Sequence, residues 1–506
     1  MRVTRRQFLA SISAVTALSV EGCRSPVKKP DAAERASELL ELSAAEAVER
    51  MKRGDLTAEQ YAQTLLAQCE REKALNAFIT LEPERVLEAA RTADRKRTSG
   101  IPLGPLHGLP IPIKDSVNTK DYPTTGGTPA LRHFHPNEDA AIVRKLVDAG
   151  AIIEGKTNLH ELSFGWTSNN RAFGAVHNPY DRARIPGGSS GGTAVAIAAR
   201  MAPLGIAEDT EGSIRVPAAM CGIAGFRPTT GRYPSTGVVP ISALFDQVGP
   251  QARIVNDLVL FDSVVTGDAS AITPRTLTGV RIGVAREYWF KDLDPEVERV
   301  AGDALRKLQQ AGVVLVESEV QDVAQLRKLT TWPIENHDVL PALKQYLEEN
   351  QTGIAMEDLI THASADIQRD LHDVMPGGKY FVSEKAYRAA CDVYRPQLKK
   401  NYADYFRRTG VAAIVFPALM FLPAPLGEAQ EIVIAGKKFG FNDAVSQSIA
   451  PGSTAGLPGL VLPAGLTATG LPVAIELDGP AGSDRQMLAL ALGLERVLGT
   501  LPAPGL

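Results

Sequence analysis

The chain has few of the residues that signal a metal, a disulfide scaffold or a nucleic-acid partner. Its four cysteines, Cys23, Cys69, Cys221 and Cys391, lie far apart and form no C-x-x-C pair. That argues against both a zinc site and a disulfide framework. Cys221, in VPAAMCGIAGF, reads as a small core residue, because buried free cysteine behaves as a hydrophobe. His133 and His135 stand near Asp139 but without metal-ligand spacing. The net charge is -4 and there is no broad basic field, which excludes a polynucleotide partner. The apolar run Phe8 to Val20 is too short to cross a bilayer as a helix. No internal repeat and no low-complexity segment interrupts the chain.

What remains is an ordinary globular composition, 44% hydrophobic and 22% charged over 506 residues. That length permits a large core and one or two domains. Paired arginines, Arg5 and Arg6, precede the Phe8–Val20 run and resemble a twin-arginine export signal over residues 1–22; the alternative is a frayed amphipathic helix. This reading places the protein in the periplasm. Cys23 has Val20 and Gly22 at lipobox-like positions, but Glu21 fits poorly. Lipidation of Cys23 and cleavage near Ala17-Leu18-Ser19 are the two outcomes. Residues 23–37 read as a polar tether, and 38–506 as the catalytic domain.

Ser43 and Glu46 form a capping-box pattern ahead of an amphipathic helix. Helices are expected over Thr57–Glu72, Pro83–Arg97, Glu138–Asp148, Thr193–Arg200 and Pro295–Ala311, with a last one over Ser483–Leu498. Gly108–Val117, AIIEGK, Pro203–Ala207, RIGVAR, VVLVES, AAIVFPA, GLVLPAGL and LPVAIELDG read as strands. Strands alternating with helices predict an α/β layer fold with a mostly open sheet. Residues from about 320 to 410 are helical and more charged, and are expected to form a cap beside that sheet.

Three segments carry chemistry. HGLPIPIKD ends on Lys114 in apolar surroundings, and burial pulls a lysine below its ordinary value of about 10.4. Asp115 would oppose that shift unless it points away. GGSSGG spans Gly187–Gly192, and EDTEGSIRVPAAMCG places Ser213 downstream. Glycine-rich backbone lets N–H groups approach a reacting centre and stabilise an oxyanion. GGSSGG lacks the Gly-Lys-Ser/Thr end of a P-loop. Gly188–Gly192 also satisfies G-x-S-x-G, which would make Ser190 a nucleophile. That motif needs a strand before it and a histidine after it in a suitable place. The preceding residues are NPYDRARIP, and the later histidines, His337, His362 and His372, fall in the helical middle.

Together, HGLPIPIKD, GKTNLHELSFGWTSNN, GGSSGG, GSIRVPAAMCGIAGFRPTTGRYP and AGLPGLVLPAGLTATGLPVAIELDG resemble the amidase signature family from about residue 38 to the end. The resemblance implies a large mixed, mostly open sheet with helices on both faces, and no cofactor. It implies a Ser–cis-Ser–Lys triad: Ser213 as nucleophile, Ser189 as bridging serine after a cis Gly188–Ser189 bond, and Lys114 as an uncharged base. The oxyanion hole would be the backbone N–H groups of Thr210, Glu211, Gly212 and Ser213. An acyl-enzyme would form and be hydrolysed through the same relay.

The chain departs from the family's common Gly-Thr-Asp-x-Gly-Gly-Ser with Ala207-Glu208-Asp209-Thr210-Glu211-Gly212-Ser213. Glu211 sets a side chain beside the oxyanion donors; a backbone donor survives any side chain, but if Glu211 points inward it would repel an oxyanion or favour a cationic substrate. GFRPTTGRYPSTGVVPIS and LDGPAGSDR look most like mandelamide and indoleacetamide hydrolases, which implies a small primary arylacetamide as substrate. Trp166 and Phe164 are candidates to line an aryl pocket or to pack in the core. Phe245-Asp246-Gln247-Val248-Gly249 differs from the Asp-Thr pair before x-Gly in such relatives. Alternatives are a glutamine-hydrolysing amidotransferase subunit, disfavoured by export, and a non-catalytic binding protein on this scaffold. The expected partner is a small amide. Membrane contact would come only through a lipid on Cys23, and a homodimer is left open.

Overall fold

Eleven short strands pair into one mixed sheet. In spatial order they are Phe78–Leu81, Ile152–Thr157, Pro110–Lys114, Leu204–Asp209, Gln247–Ala252, Ala224–Arg227, Gly459–Leu466, Pro472–Asp478, Ile414–Pro417, Arg281–Val284 and Val314–Glu317. Pro110–Lys114 runs parallel to both neighbours. Arg281–Val284 likewise lies parallel to Ile414–Pro417 and Val314–Glu317. The remaining pairs are antiparallel. Every residue of Pro110–Lys114, Leu204–Asp209, Gln247–Ala252 and Pro472–Asp478 is buried, as strands covered on both faces require.

The computed structural model describes residues 32–427 and 430–505. Residues 1–22, read above as an export signal, Cys23 and the first part of the stretch read as a tether lie outside the described residues. A helix, Ala32–Leu40, begins within the stretch read as tether. Leu39–Leu506 packs as one unit.

Local signals account for most elements. Ser43 Oγ accepts the Glu46 N–H while Glu46 accepts the Ser43 N–H at 3.0 Å, closing the capping box on Ala44–Arg53. Thr57 caps Ala58–Arg71 in the same way from its side chain. Gln247–Ala252 and Ala224–Arg227 are strands that sequence pattern does not announce. QVGPQA has no alternation and few β-branched residues, so its neighbours on either side impose the conformation.

Residues 323–409 contain helices and no strand: Val323–Glu349, Met356–His362, Ala365–Val374, Glu384–Ala389 and Arg395–Thr409. They build a second apolar cluster in which Val339, Leu343, Leu359 and Leu371 meet Leu131, Leu162, Val239 and Ile241 from loops at the sheet. The site sits beside this junction. Lys114 and Asp209 end two parallel neighbouring strands, so both open at one edge, where open α/β sheets bind ligands.

Candidate active site

Lys114 closes the strand PIPIK and has no solvent exposure. Its Nζ lies 2.6 Å from Ser189 Oγ and 2.5 Å from Glu208 Oε1. Burial draws its pKa below the ordinary amine value, while Glu208, and more weakly Asp209 and Asp246, push it back up. Asp115 points away from the lysine and is spoken for. It forms an ion pair with Lys156 at 2.9 Å and accepts the Thr125 hydroxyl and N–H. The charge facing Lys114 is therefore Glu208.

The GGSSGG run is held against Trp166. A Cβ on Gly188 would stand 2.7 Å from the Trp166 carbonyl carbon, so only glycine fits that approach. The Gly188–Ser189 peptide is cis. Ser189 is fully buried, and its carbonyl accepts the His160 N–H at 3.0 Å. Ser190, the rival nucleophile, caps the helix Gly191–Ala198 and donates its hydroxyl to the Glu208 carbonyl at 3.1 Å. No strand leads into it.

Ser213 lies on the turn after Leu204–Asp209 and is 5% exposed, against 0% for Lys114 and Ser189. The Ser190 N–H reaches the Ser213 carbonyl at 3.3 Å, which brings the two serine segments together. The carbonyls of the turn are pinned. Thr210 O accepts Arg227 at 3.2 Å, and Glu211 O accepts Arg215 at 2.9 Å and Ser453 Oγ at 2.7 Å. Gly212 O accepts the N–H groups of Arg215 and Val216. In a trans peptide the next N–H points opposite to the carbonyl, so the amides of Glu211, Gly212 and Ser213 face away from the arginines.

Those arginines belong to a closed ion cluster. Arg215 pairs with Asp209 and Glu476, Arg227 pairs with Asp209, and all four side chains are fully buried. Burial alone would raise the Asp209 carboxyl, but Arg215 and Arg227 outweigh it and hold Asp209 below its ordinary range. The same partners keep Arg215 charged despite its burial.

Glu211 turns its carboxyl to Glu335 of the helix Val323–Glu349. Burial raises both, and the Glu211 charge drives Glu335 well above the ordinary range. Among the described residues no donor reaches either carboxyl oxygen of Glu211. Asp246 accepts the Thr210 hydroxyl at 2.7 Å and the N–H groups of Ile241 and Ser242. Burial, helped by Glu208, lifts it to about 7.

Trp166 reaches the turn that carries Ser213, since a Cβ on Gly212 would stand 3.4 Å from its ring. Phe164 packs instead with the helical cluster. Sequence reasoning singled out Lys114, both serines and the turn. It missed Asp246, Glu335 and His160, whose imidazole burial holds near pKa 4. Glu208 was visible as a departure from the common threonine, yet nothing local shows that its strand adjoins that of Lys114.

The family model described as "Amidase" matches residues 60–488. An indoleacetamide hydrolase of Agrobacterium vitis is 38% identical over 457 residues, 90% of this chain and 97% of the relative. A mandelamide hydrolase of Pseudomonas putida is 36% identical over 480 residues, 92% of this chain and 93% of the relative. A solved crystal structure of an amidase superposes with a TM-score of 0.80 at 29% identity, covering 90% of this chain and 100% of that one.

Proposed function

The chain belongs to the amidase family, and from that premise we propose that it hydrolyses a small, aryl-substituted primary amide to a carboxylic acid and ammonia. Ser213 attacks the amide carbonyl, Ser189 relays its proton, and Lys114 draws that proton from Ser189. The observation that carries this reading is the 2.6 Å contact of Lys114 Nζ with Ser189 Oγ in a site closed to solvent. A hydroxyl in hydrogen-bond reach of a buried amine has the geometry of an activated nucleophile system. The amides of Glu211, Gly212 and Ser213, turned from the arginines, serve as oxyanion donors with that of Thr210. Removing one such donor typically costs about 10²–10³ in rate. Thr210 is held by Asp246, and the turn's carbonyls are fixed from below, so the donors need no rearrangement when charge develops.

Trp166 supplies the face for the aryl group. The relatives' names support this, since indoleacetamide and mandelamide both carry an aromatic ring beside a primary amide. The test is fluorophosphonate labelling with peptide mapping, followed by a primary-amide screen read by ammonia release. A label on Ser213 and turnover of arylacetamides support the reading. A label on Ser190, or none, rejects it. Export to the periplasm is part of the proposal. Cell fractionation of the wild type and of an Arg5→Lys, Arg6→Lys variant tests it, and the membrane fraction reports any lipid on Cys23.

A further inference from the structure

The contact between Lys114 and Glu208 changes where the relay's proton can end. The two side chains are 0% and 3% exposed, and Nζ lies 2.5 Å from Oε1. Glu208 stands where the common pattern has threonine. A threonine hydroxyl cannot take a proton from an ammonium group, whereas a carboxylate can. An ionised carboxylate at this distance strongly favours the charged lysine. A charged lysine has no lone pair with which to accept the Ser189 proton.

We propose that the relay in this chain has four members and ends on Glu208. The proposal rests on the Ser213–Ser189–Lys114 reading above and adds one step to it. At rest Lys114 is an ammonium and Glu208 a carboxylate. Transfer of one lysine proton to Glu208 Oε1 breaks that N–H bond, forms an O–H bond and frees the amine lone pair. The amine then takes the Ser189 proton, and Ser189 takes the Ser213 proton as Ser213 Oγ bonds to the amide carbon. Lys114 is again an ammonium, Ser189 again a hydroxyl, and Glu208 a carboxylic acid. The negative charge it held now sits on the oxyanion. On collapse the proton returns by the same route to the amide nitrogen, the C–N bond breaks, and ammonia leaves. A dry site suits the first step, because burial favours the neutral amine–acid pair over the ion pair.

The surrounding charges leave Glu208 as the partner. Asp209, next along the strand, is held by Arg215 and Arg227. Asp115, next to Lys114, is held by Lys156. Asp246 is engaged by Thr210 and two backbone amides, and His160 stays neutral. Glu211 faces Glu335, and burial raises both carboxyls.

The test is the pH profile of kcat/KM for a primary amide, measured on the full chain as wild type and Glu208→Gln. Glu208→Gln should lower kcat at pH 7 at least tenfold and move the acid limb up by at least one pH unit, because only a neutral lysine then serves as base. Glu208→Asp should recover part of the rate, with the limb nearer to that of the wild type than to that of Glu208→Gln. A limb that moves down in Glu208→Gln, or does not move, overturns the proposal; Glu208 then merely restrains Lys114 or fills space. If Glu208→Gln does not fold, as judged by a thermal melt, Glu208→Thr, the residue of the common pattern, takes its place with the same outcomes: a limb that moves up supports the proposal, and one that moves down or stays overturns it. Fluorophosphonate labelling separates the two failures. An unlabelled Ser213 sinks the underlying reading, whereas a labelled Ser213 with an unmoved limb sinks only the fourth member.

Discussion

Two lysines on adjacent strands, Lys114 and Lys156, are equally buried and each is paired with a carboxylate, yet their surroundings suit opposite tasks. Lys156 Nζ meets Asp115 at 2.9 Å, the Pro123 carbonyl at 3.0 Å and Thr124 Oγ1 at 2.8 Å. An ammonium has three protons, and each of these has an acceptor. Lys114 meets a carboxylate on one side and, on the other, a serine hydroxyl that can give a proton as well as receive one. Burial lowers the pKa of both amines. Desolvation alone therefore does not make a base; the identity of the neighbour opposite the carboxylate does.

The sharpest way to break this comparison is to truncate each lysine. Lys114→Ala should lower kcat by about 10²–10⁴, the range of a lost general acid–base group. Lys156→Ala should leave kcat per active site within about threefold, with sites counted by fluorophosphonate titration, because Lys156 lies outside the proposed relay. Equal losses of kcat would end the argument from neighbours. Stability should not distinguish them. Each truncation strands a buried carboxylate, which costs about 3–5 kcal/mol, read by urea denaturation.

A smaller effect separates the two aromatics. Trp166→Ala should raise KM for an arylacetamide about tenfold, the loss expected of one aromatic contact, and change KM for acetamide little. Phe164→Ala should lower the melting temperature and leave the ratio of the two KM values unchanged.

The smallest effect extends the lysine comparison to Glu154, a buried carboxyl on the Lys156 strand. Burial lifts it to about 8, and among the described residues the Cys69 thiol is its one hydrogen-bond donor. Its unfolded value is near the ordinary carboxylate, about 4.3, so the folded protein binds the extra proton between those limits. Stability contributed by this group is therefore full below about pH 4.3 and is lost as pH rises toward 8. Glu154→Gln removes that slope. Its melting temperature relative to the wild type should climb from pH 5 to pH 8, by a few degrees in total.

The local chemistry was readable from the chain. Ser43 with Glu46, the apolar run into Lys114 and the glycine-flanked serines each carry their reason within a few residues. The relationships that set the charge of the site are not local. Glu208 meets Lys114 because Leu204–Asp209 is the neighbour of Pro110–Lys114, a matter of strand order. Glu335 meets Glu211 because a helix over a hundred residues later lies beside the turn. Asp246 reads in sequence as one residue of an altered Phe-Asp-Gln stretch, and only the fold places it under Thr210.

Two late contacts have a bearing on biosynthesis. The Glu211 carbonyl is fixed by the hydroxyl of Ser453, and Arg215 leans on Glu476. A nascent chain that has not yet exposed these late residues has no finished cradle for the reacting carbonyl. Cleavage of amides should begin only when translation is nearly over, and fragments truncated before position 453 should be inert rather than indiscriminate.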